Sequence, residues 1–425
     1  MNDSTPAGTR RWLSAGRLWD LVIPAGVDPT ARKVLCARAL RAFVDGYVAV
    51  LLPAYLLALG LGQFDVGLIS TATLLGSAAA TLAVGAWGHR FASRRLLCAA
   101  ALLMAATGAG FAGLSSFWPL LVVAFVGTLN PSSGDVSVFL PLEHARIAEA
   151  SSGEARTALF ARYSVLGALC AAVGALAAVL PDALAHRGML SRLDALRALF
   201  LLYGGIGIAV WWLYRRLPHP AGAAGDAAPA SPAPLGPSRA IVIRLAALFS
   251  VDSFAGGLVV NALLSLWLLQ RFGVSLTQAG LFFFWAGLLS AASQFAAPKV
   301  AQRFGLLNTM VFTHIPASVC LILAALAPSL PLALTLLFVR SALSQMDVPT
   351  RSAYVMAVVT PAERTAAASF TAVPRSLAAA VSPALGGAMF AAGWLSLPLV
   401  ACGVLKIGYD LALWRAFRMH RAQGE

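Results

Sequence analysis

The chain of 425 residues is 59% hydrophobic and only 11% charged, with a mean hydropathy of +0.80. A soluble domain carries about 45–50% apolar and about 25% charged residues, so this composition excludes an ordinary soluble fold and points to a chain that crosses a membrane many times. A net charge of +14 invites a nucleic-acid reading, but the cations are placed for another purpose.

Residues 1–35 are polar and basic, with no apolar core ahead of a small-residue cleavage site, and read as a cytoplasmic segment rather than a signal peptide. About 20 apolar residues span a bilayer. Twelve stretches qualify: 36–59, 66–88, 95–114, 117–141, 156–180, 194–214, 241–269, 276–298, 306–327, 330–350, 364–391 and 394–415. Spans four and ten are the least apolar, because each holds a polar cluster. In span four the oily FWPLLVVAFV runs into Asn130, Pro131, Ser132, Ser133, Gly134 and Asp135 before oily residues resume. Such residues suit protein or cavity water, not lipid, so span four is expected to bend there. The alternative is that the helix ends at Asn130–Gly134 and that 136–142 lies at the interface.

The cations orient the spans. Arg32, Lys33 and Arg38 precede or open span one, Arg90, Arg94 and Arg95 follow span two, and Arg215, Arg216 and Arg239 flank the segment after span six. Lys299, Arg303, Arg351, Arg364, Arg415 and Arg418 fall on the same side, which the opposite loops answer with little beyond Arg187, Arg192 and Arg271. Both termini are therefore expected in the cytoplasm, with the positive charge facing anionic lipid rather than nucleic acid. Residues 216–240 are rich in Pro, Ala, Gly and Ser and read as a flexible linker between bundles at 36–215 and 241–415, ahead of a cytoplasmic tail at 416–425.

The two halves look like repeats. Asp45 and Asp252 each follow a valine in spans one and seven, Arg90-Phe91 matches Arg303-Phe304, Ser133-Gly134-Asp135 matches Gln345-Met346-Asp347, and spans five and eleven both open on Glu-(Ala)-Arg-Thr. With twelve spans in two related halves, the chain resembles the major facilitator superfamily. That family carries G-x-x-x-D-R-x-G-R-[RK] between helices two and three. Gly85 to Arg94 keeps Gly85, Arg90 and Arg94 but has His89 for the aspartate, and the second copy has Gln302 there. Asp347-Val348-Pro349-Thr350-Arg351 is similar to a D-x-P-x-R segment of bacterial efflux members. The resemblance implies an all-α membrane protein, twelve helices in two pseudo-symmetric six-helix bundles around a central cavity, in a bacterial inner membrane and as a monomer.

Five aspartates fall inside proposed spans: Asp45, Asp135, Asp252, Asp347 and Asp410. Such residues face a bundle interior or a water-filled cavity. Asp45 and Asp252 fall near mid-membrane and are candidate proton or substrate sites, since a carboxylate in low dielectric takes up a proton readily. Asp135 and Asp347 fall nearer the cytoplasm and are candidate gate residues with Arg90, Arg94, Arg162, Arg303 and Arg351. The competing reading is structural pairing: Arg41 lies four residues before Asp45, and Lys406 four before Asp410, which explains Asp410 on a span peripheral in the family. Arg340 and Arg375 are expected either to pair with Asp252 and Asp347 or to hold an anionic substrate group. Asn130, Asn261 and Tyr47 complete the binding candidates, with Gln294 and Trp267 behind them.

The five cysteines are scattered singly and read as apolar filler, with no disulfide framework and no metal site. The six histidines lie far apart and mostly in loops. No HExxH, GxSxG or P-loop pattern is present, so neither an enzyme, a cofactor nor an ATP-driven pump is expected. The reading is a secondary transporter of a small solute by alternating access, with protons as coupling ion and export as direction. An importer or uniporter of a small organic or anionic solute is the alternative, and a non-transporting receptor on the same fold the alternative of another class.

Overall fold

The computed structural model describes residues 29–132, 137–150, 153–218, 236–360 and 363–418, with backbone alone at 29, 89, 153–158 and 365. The core of the linker, most of the basic N-terminal segment and Asp135 lie outside the described residues.

The described chain is built from helices, and each pass can be followed in order. Span one is α1 (Pro29–Ala58), span two α2 (Gln63–Trp87), and span three α3 (Ser93–Gly113). Span four is divided into α4 (Phe117–Val126) and α5 (Phe139–Glu149). Span five is α6 (Gly153–Ala175), a 3-10 turn (Leu176–Val179) and α7 (Leu180–His186), and span six is α8 (Arg192–Arg215). Span seven is α9 (Arg239–Gly257) and α10 (Asn261–Phe272), followed by α11 (Leu276–Phe304) and α12 (Leu306–Leu326) as spans eight and nine. Span ten is again divided, into α13 (Leu330–Leu343) and α14 (Asp347–Val358). Spans eleven and twelve are α15 (Arg364–Ala391) and α16 (Leu397–Phe417).

By length and apolarity nine described stretches are able to cross a membrane unaided. The three that fall short are instructive. Spans four and ten are broken where their polar clusters interrupt the apolar run. Span eleven is a 28-residue helix, but its Ala, Ser, Thr and Gly content dilutes its hydropathy. It borders protein on more than one side, packing along α2 and α9.

The ends obey ordinary capping chemistry. Ser191 Oγ accepts from Asp194 N–H at 3.1 Å to open α8. At α11, Ser275 Oγ accepts from Gln278 N–H while Gln278 Oε1 accepts from Ser275 N–H, a reciprocal capping box. Gly273 (φ 62°) and Gly305 (φ 83°) end α10 and α11 in left-handed backbone that a side chain would strain.

The packing repeats between halves. Span one lies on span five and span seven on span eleven; span three lies on span six and span nine on span twelve. Span two packs on span eleven, and span eight on span five, so the halves meet through equivalent pairs. Small residues allow these approaches. A Cβ on Gly46 would sit 2.0 Å from the Ala171 carbonyl oxygen, and one on Gly174 1.9 Å from that of Phe43, joining spans one and five. Gly67 faces Gly387 between spans two and eleven, and Gly280 faces Ala175 between spans eight and five. Across the halves, Thr71 Oγ1 accepts from Ala384 N–H (2.9 Å) and Ser265 Oγ donates to the Val50 carbonyl (2.9 Å).

On the side of the termini, Glu363 ties span seven to the loop before span eleven. Its carboxylate accepts from Gly236 N–H, Ser238 Oγ (2.6 Å) and Thr360 Oγ1 (2.7 Å). The Ser238 and Thr360 hydroxyls hold the acid down at about 2 against the opposing effect of burial, with the Gly236 amide adding to them.

Two outcomes follow from this packing. Gly46→Val forces an isopropyl group against backbone and is expected to cost about 1–3 kcal/mol, read as a lowered midpoint in detergent thermal unfolding; an unchanged midpoint would contradict the close approach. Glu363 has its acidity strengthened by folding, so its contribution is complete above the ordinary carboxyl range and fades as pH falls toward about 2. The midpoint of Glu363→Gln should therefore lie below wild type at pH 7, and the gap should narrow from pH 5 to pH 3. A gap independent of pH would show that the carboxylate is not what holds the loop.

Candidate functional site

Charged side chains inside the bundle need partners, and each half supplies them from several spans. In the first half Arg41 of α1 forms an ion pair with Glu143 of α5, both buried. The Tyr163 and Tyr214 hydroxyls, from α6 and α8, donate to the same carboxylate. The Arg41 guanidinium also lies 4.1 Å from the Phe139 ring centroid, and Arg38 lies 5.0 Å from that of Tyr163. Asp45, half-buried one turn further along α1, faces Arg41 and Arg38. Arg41 thus faces Asp45 along its own helix, as expected, and adds a bond across the bundle to Glu143. Glu143 lies beyond the predicted end of span four, where the sequence alone carries no sign that it turns back into the bundle.

In the second half one carboxylate is the hub. Asp252 of α9 accepts from Lys406 Nζ of α16 (2.6 Å) on Oδ1 and pairs with Arg351 of α14 (3.3 Å) on Oδ2. Arg351 also pairs with Asp347 one turn away on α14. His314 of α12 places Nδ1 3.1 and 3.0 Å from the two Asp410 oxygens, the geometry of an Nδ1–H donating to the carboxylate. Nε2 is then left to accept from Lys406 Nζ at 3.4 Å, with Asp252 3.9 Å away. Six side chains from spans seven, nine, ten and twelve therefore form one connected network.

Several expectations change here. Lys406 bonds Asp252, not Asp410, because across the bundle its ammonium reaches a carboxylate that would otherwise have only Arg351. Asp410 takes His314 instead. Asp252 and Asp347 do not pair with Arg340 and Arg375; Arg351 bridges both. That bridge also merges two tiers expected at different depths, because the break before Asp347 and the length of the arginine bring gate and mid-membrane residues together. His314 was missed by grouping the histidines with loops, although it sits between Thr313 and Pro316 inside an apolar run.

The remaining candidates spread out. Tyr47 is buried and its hydroxyl donates to the Leu199 carbonyl (2.8 Å), binding span one to span six. Asn130 Oδ1 accepts from Ser132 N–H (3.0 Å) and Ser132 Oγ (2.7 Å), which shapes the turn after α4. The next carbonyl, of Pro131, accepts from Ala262 N–H (3.0 Å) at the start of α10, immediately after Asn261. The breaks in spans four and seven thus meet across the two halves. Beside the span-four break, a cavity of about 260 Å³ is lined by small and apolar residues including Ser77, Ala100, Gly127, Thr128 and Val138. Arg90 and Arg303 are exposed at the ends of α2 and α11, Arg303 beside the Phe304 ring, while Arg94 is half-buried at the start of α3. Arg162 is half-buried on α6, with a buried terminal nitrogen that has no hydrogen-bond partner among the described residues.

Twelve passes in two equivalent bundles, with charged networks held inside each, define a polytopic membrane transporter. The Major Facilitator Superfamily model matches residues 34–339 and again 245–423, and the chain belongs to that superfamily. It is 24% identical over 406 residues to an uncharacterized membrane protein of Saccharomyces cerevisiae, YJR124C, covering 88% of this chain and 91% of the yeast protein. Its fold is similar to that of a bacterial homolog of the human lysosomal transporter Spinster in an inward-facing, occupied conformation (TM-score 0.73, 16% identity, 93% and 98% of the two chains). It is also similar to the nucleoside transporter NupG (TM-score 0.71, 11% identity, 93% and 100%).

The hub predicts strong coupling. Asp252→Asn and Lys406→Met should each destabilise the protein, and the double variant should be less damaged than the sum, with a coupling of about 1–3 kcal/mol. A double-mutant cycle of unfolding in detergent measures it; additive losses would show that the two groups act independently.

Proposed function

We propose that this superfamily member is a proton-coupled secondary transporter that exports a small solute by alternating access between its two bundles. The observation that carries this reading is the placement of ionisable side chains deep in both bundles beside broken spans. Lipid-facing helices have no use for such groups, and breaks in the backbone are tolerated where they line protein or a cavity. We assign the proton to Asp45, which is half-buried on span one and faces Arg38 and Arg41. Asp252, buried between Lys406 and Arg351, serves as the fixed counter-charge of the second bundle. The outward direction is taken from the Asp347-x-Pro349-x-Arg351 segment, whose two charged ends are bonded on α14. Both termini are assigned to the cytoplasm on the distribution of cations.

Reconstitution in proteoliposomes tests this reading. A panel of labelled sugars, nucleosides, amines and carboxylates is followed with and without an imposed pH gradient. Wild type should move at least one member faster with the gradient, and Asp45→Asn should retain flux but lose the gradient dependence. Flux indifferent to the gradient in wild type would make the protein a uniporter or couple it to another ion. Gradient-driven uptake in the direction of the proton would make it an importer, and no flux of any class would favour a receptor role.

A further inference from the structure

The charges inside the second bundle do not cancel. Asp252, Asp347 and Asp410 meet Arg340, Arg351, Arg375 and Lys406, three carboxylates against four permanent cations. Every carboxylate already has a close partner: Lys406 and Arg351 for Asp252, Arg351 for Asp347, and His314 for Asp410. Arg340 and Arg375 are left over. Neither side chain makes an ion pair or hydrogen bond with another described residue.

Both arginines border the hub. Arg375 of α15 is within electrostatic reach of Arg351, Asp252, Asp347 and Tyr409. Arg340, in the last turn of α13, is within reach of Cys402, which in turn faces Lys406 and Asp252. Both are half-buried, so part of each residue faces open space. A guanidinium opening onto lipid tails costs about 2.5–3.5 kcal/mol even on the mildest scales. An opening onto an aqueous path avoids that cost and leaves two forks of N–H donors without acceptors. In the first bundle Arg162 likewise has a buried nitrogen with no hydrogen-bond partner among the described residues.

We propose that the solute carried by this protein is an organic anion, and that Arg340 and Arg375, each bordering the hub, are the cations that bind it. The assignment rests on the transport reading above and gives its substrate class. A guanidinium presents paired donors that match a planar carboxylate, and one bound carboxylate answers the single positive charge left when three carboxylates face four cations. Binding of the anion would complete the electroneutrality that Asp252, Asp347 and Asp410 do not supply. An anionic lipid headgroup offers similar chemistry, and the test must separate the two.

The experiment uses the full chain in nanodiscs of phosphatidylcholine alone, which removes anionic lipid, at constant ionic strength. Thermal unfolding is followed first without ligand, then with acetate, benzoate, succinate and citrate beside the neutral amides acetamide, benzamide and succinamide. Without ligand, Arg340→Gln and Arg375→Gln should leave the midpoint unchanged or raise it, because each removes an uncompensated charge, whereas Arg351→Gln should lower it. With ligand, at least one carboxylate should raise the wild-type midpoint where its amide does not, and each of the two variants should weaken that response at least tenfold in concentration. Arg340→Lys and Arg375→Lys should restore part of it, and Arg415→Gln, exposed at the end of span twelve, should change nothing. The proposal is overturned if both glutamine variants lower the ligand-free midpoint as far as Arg351→Gln, since the arginines then have partners in the protein. It is overturned equally if no carboxylate stabilises wild type over its amide in these nanodiscs, including the case in which stabilisation returns only with anionic lipid. Binding is read here without flux. A wild type that binds a carboxylate in nanodiscs but moves it in no vesicle assay would sink the transport reading and leave the anion site standing.

Discussion

A charged group buried in a helical membrane bundle must find an opposite charge, a donor or water, and the interior of this protein is arranged around that demand. Asp252 meets it with Lys406 and Arg351, and His314 stands beside the same ammonium while holding Asp410. Glu143 meets it with Arg41 and two tyrosine hydroxyls. The two solutions are related by the repeat but inverted in sign. In the first half span one brings the cation and the second part of span four brings the carboxylate. In the second half span seven brings the carboxylate and the second part of span ten brings the cation. A duplicated scaffold thus keeps the same pair of spans locked while the charges are free to exchange places.

The same demand governs the backbone. A helix that breaks inside a membrane exposes N–H and C=O groups, each costly if left without a partner. Span four stops at Val126, and the carbonyl of Pro131 is satisfied by Ala262 N–H at the restart of span seven. One break therefore completes the other, and the bond crosses from one bundle to its neighbour. Glycines do the rest of the joining, at Gly67 against Gly387 and at Gly280 against Ala175. These contacts carry little side-chain interlock, and interfaces of small residues can slide or part with limited repacking, which suits two bundles that rock.

The number of passes could be read from the sequence because apolar length acts locally. The weakness of spans four and ten could be read for the same reason, and both are broken at the residues that made them weak. The spacing of Asp347 and Arg351 on one helix alone brings them together, yet the sequence reading gives Asp347 to Arg340 or Arg375 and keeps Arg351 among the gate cations. Partner choice across the bundle was not legible. Lys406 and Asp410 satisfy the same spacing rule as Asp347 and Arg351, yet helix rotation presents Lys406 to Asp252 and Asp410 to His314. Glu143 was lost by a few residues of boundary, because an acidic residue after Pro141 looks like the end of a span until Arg41 is found beside it. His314 was lost because a single histidine in an apolar run carries no pattern, only a chemistry that needs its neighbours.

The net charge of +14 resolves into populations with different tasks. One lies at helix ends on the side of the termini, where arginines rest on aromatic rings: Arg215 on Trp211, Arg216 on Trp212 at 3.3 Å, Arg303 beside Phe304 and Arg418 on Trp414. Paired cations and amphipathic rings at one level are what anchors a bundle at the headgroup boundary. A second population, Arg41, Arg351 and Lys406, is consumed by buried carboxylates. Arg340 and Arg375 belong to neither: among the described residues they have no ion pair, because the geometry of the hub gives its carboxylates to other partners. A protein that merely needed stability would gain by replacing such residues with apolar ones of similar volume. Their presence fits the proposal that a passing anionic solute brings the missing charge, in which case the binding energy is available only while the solute is aboard. Under that proposal the electrostatics of the second bundle serve its traffic rather than its fold.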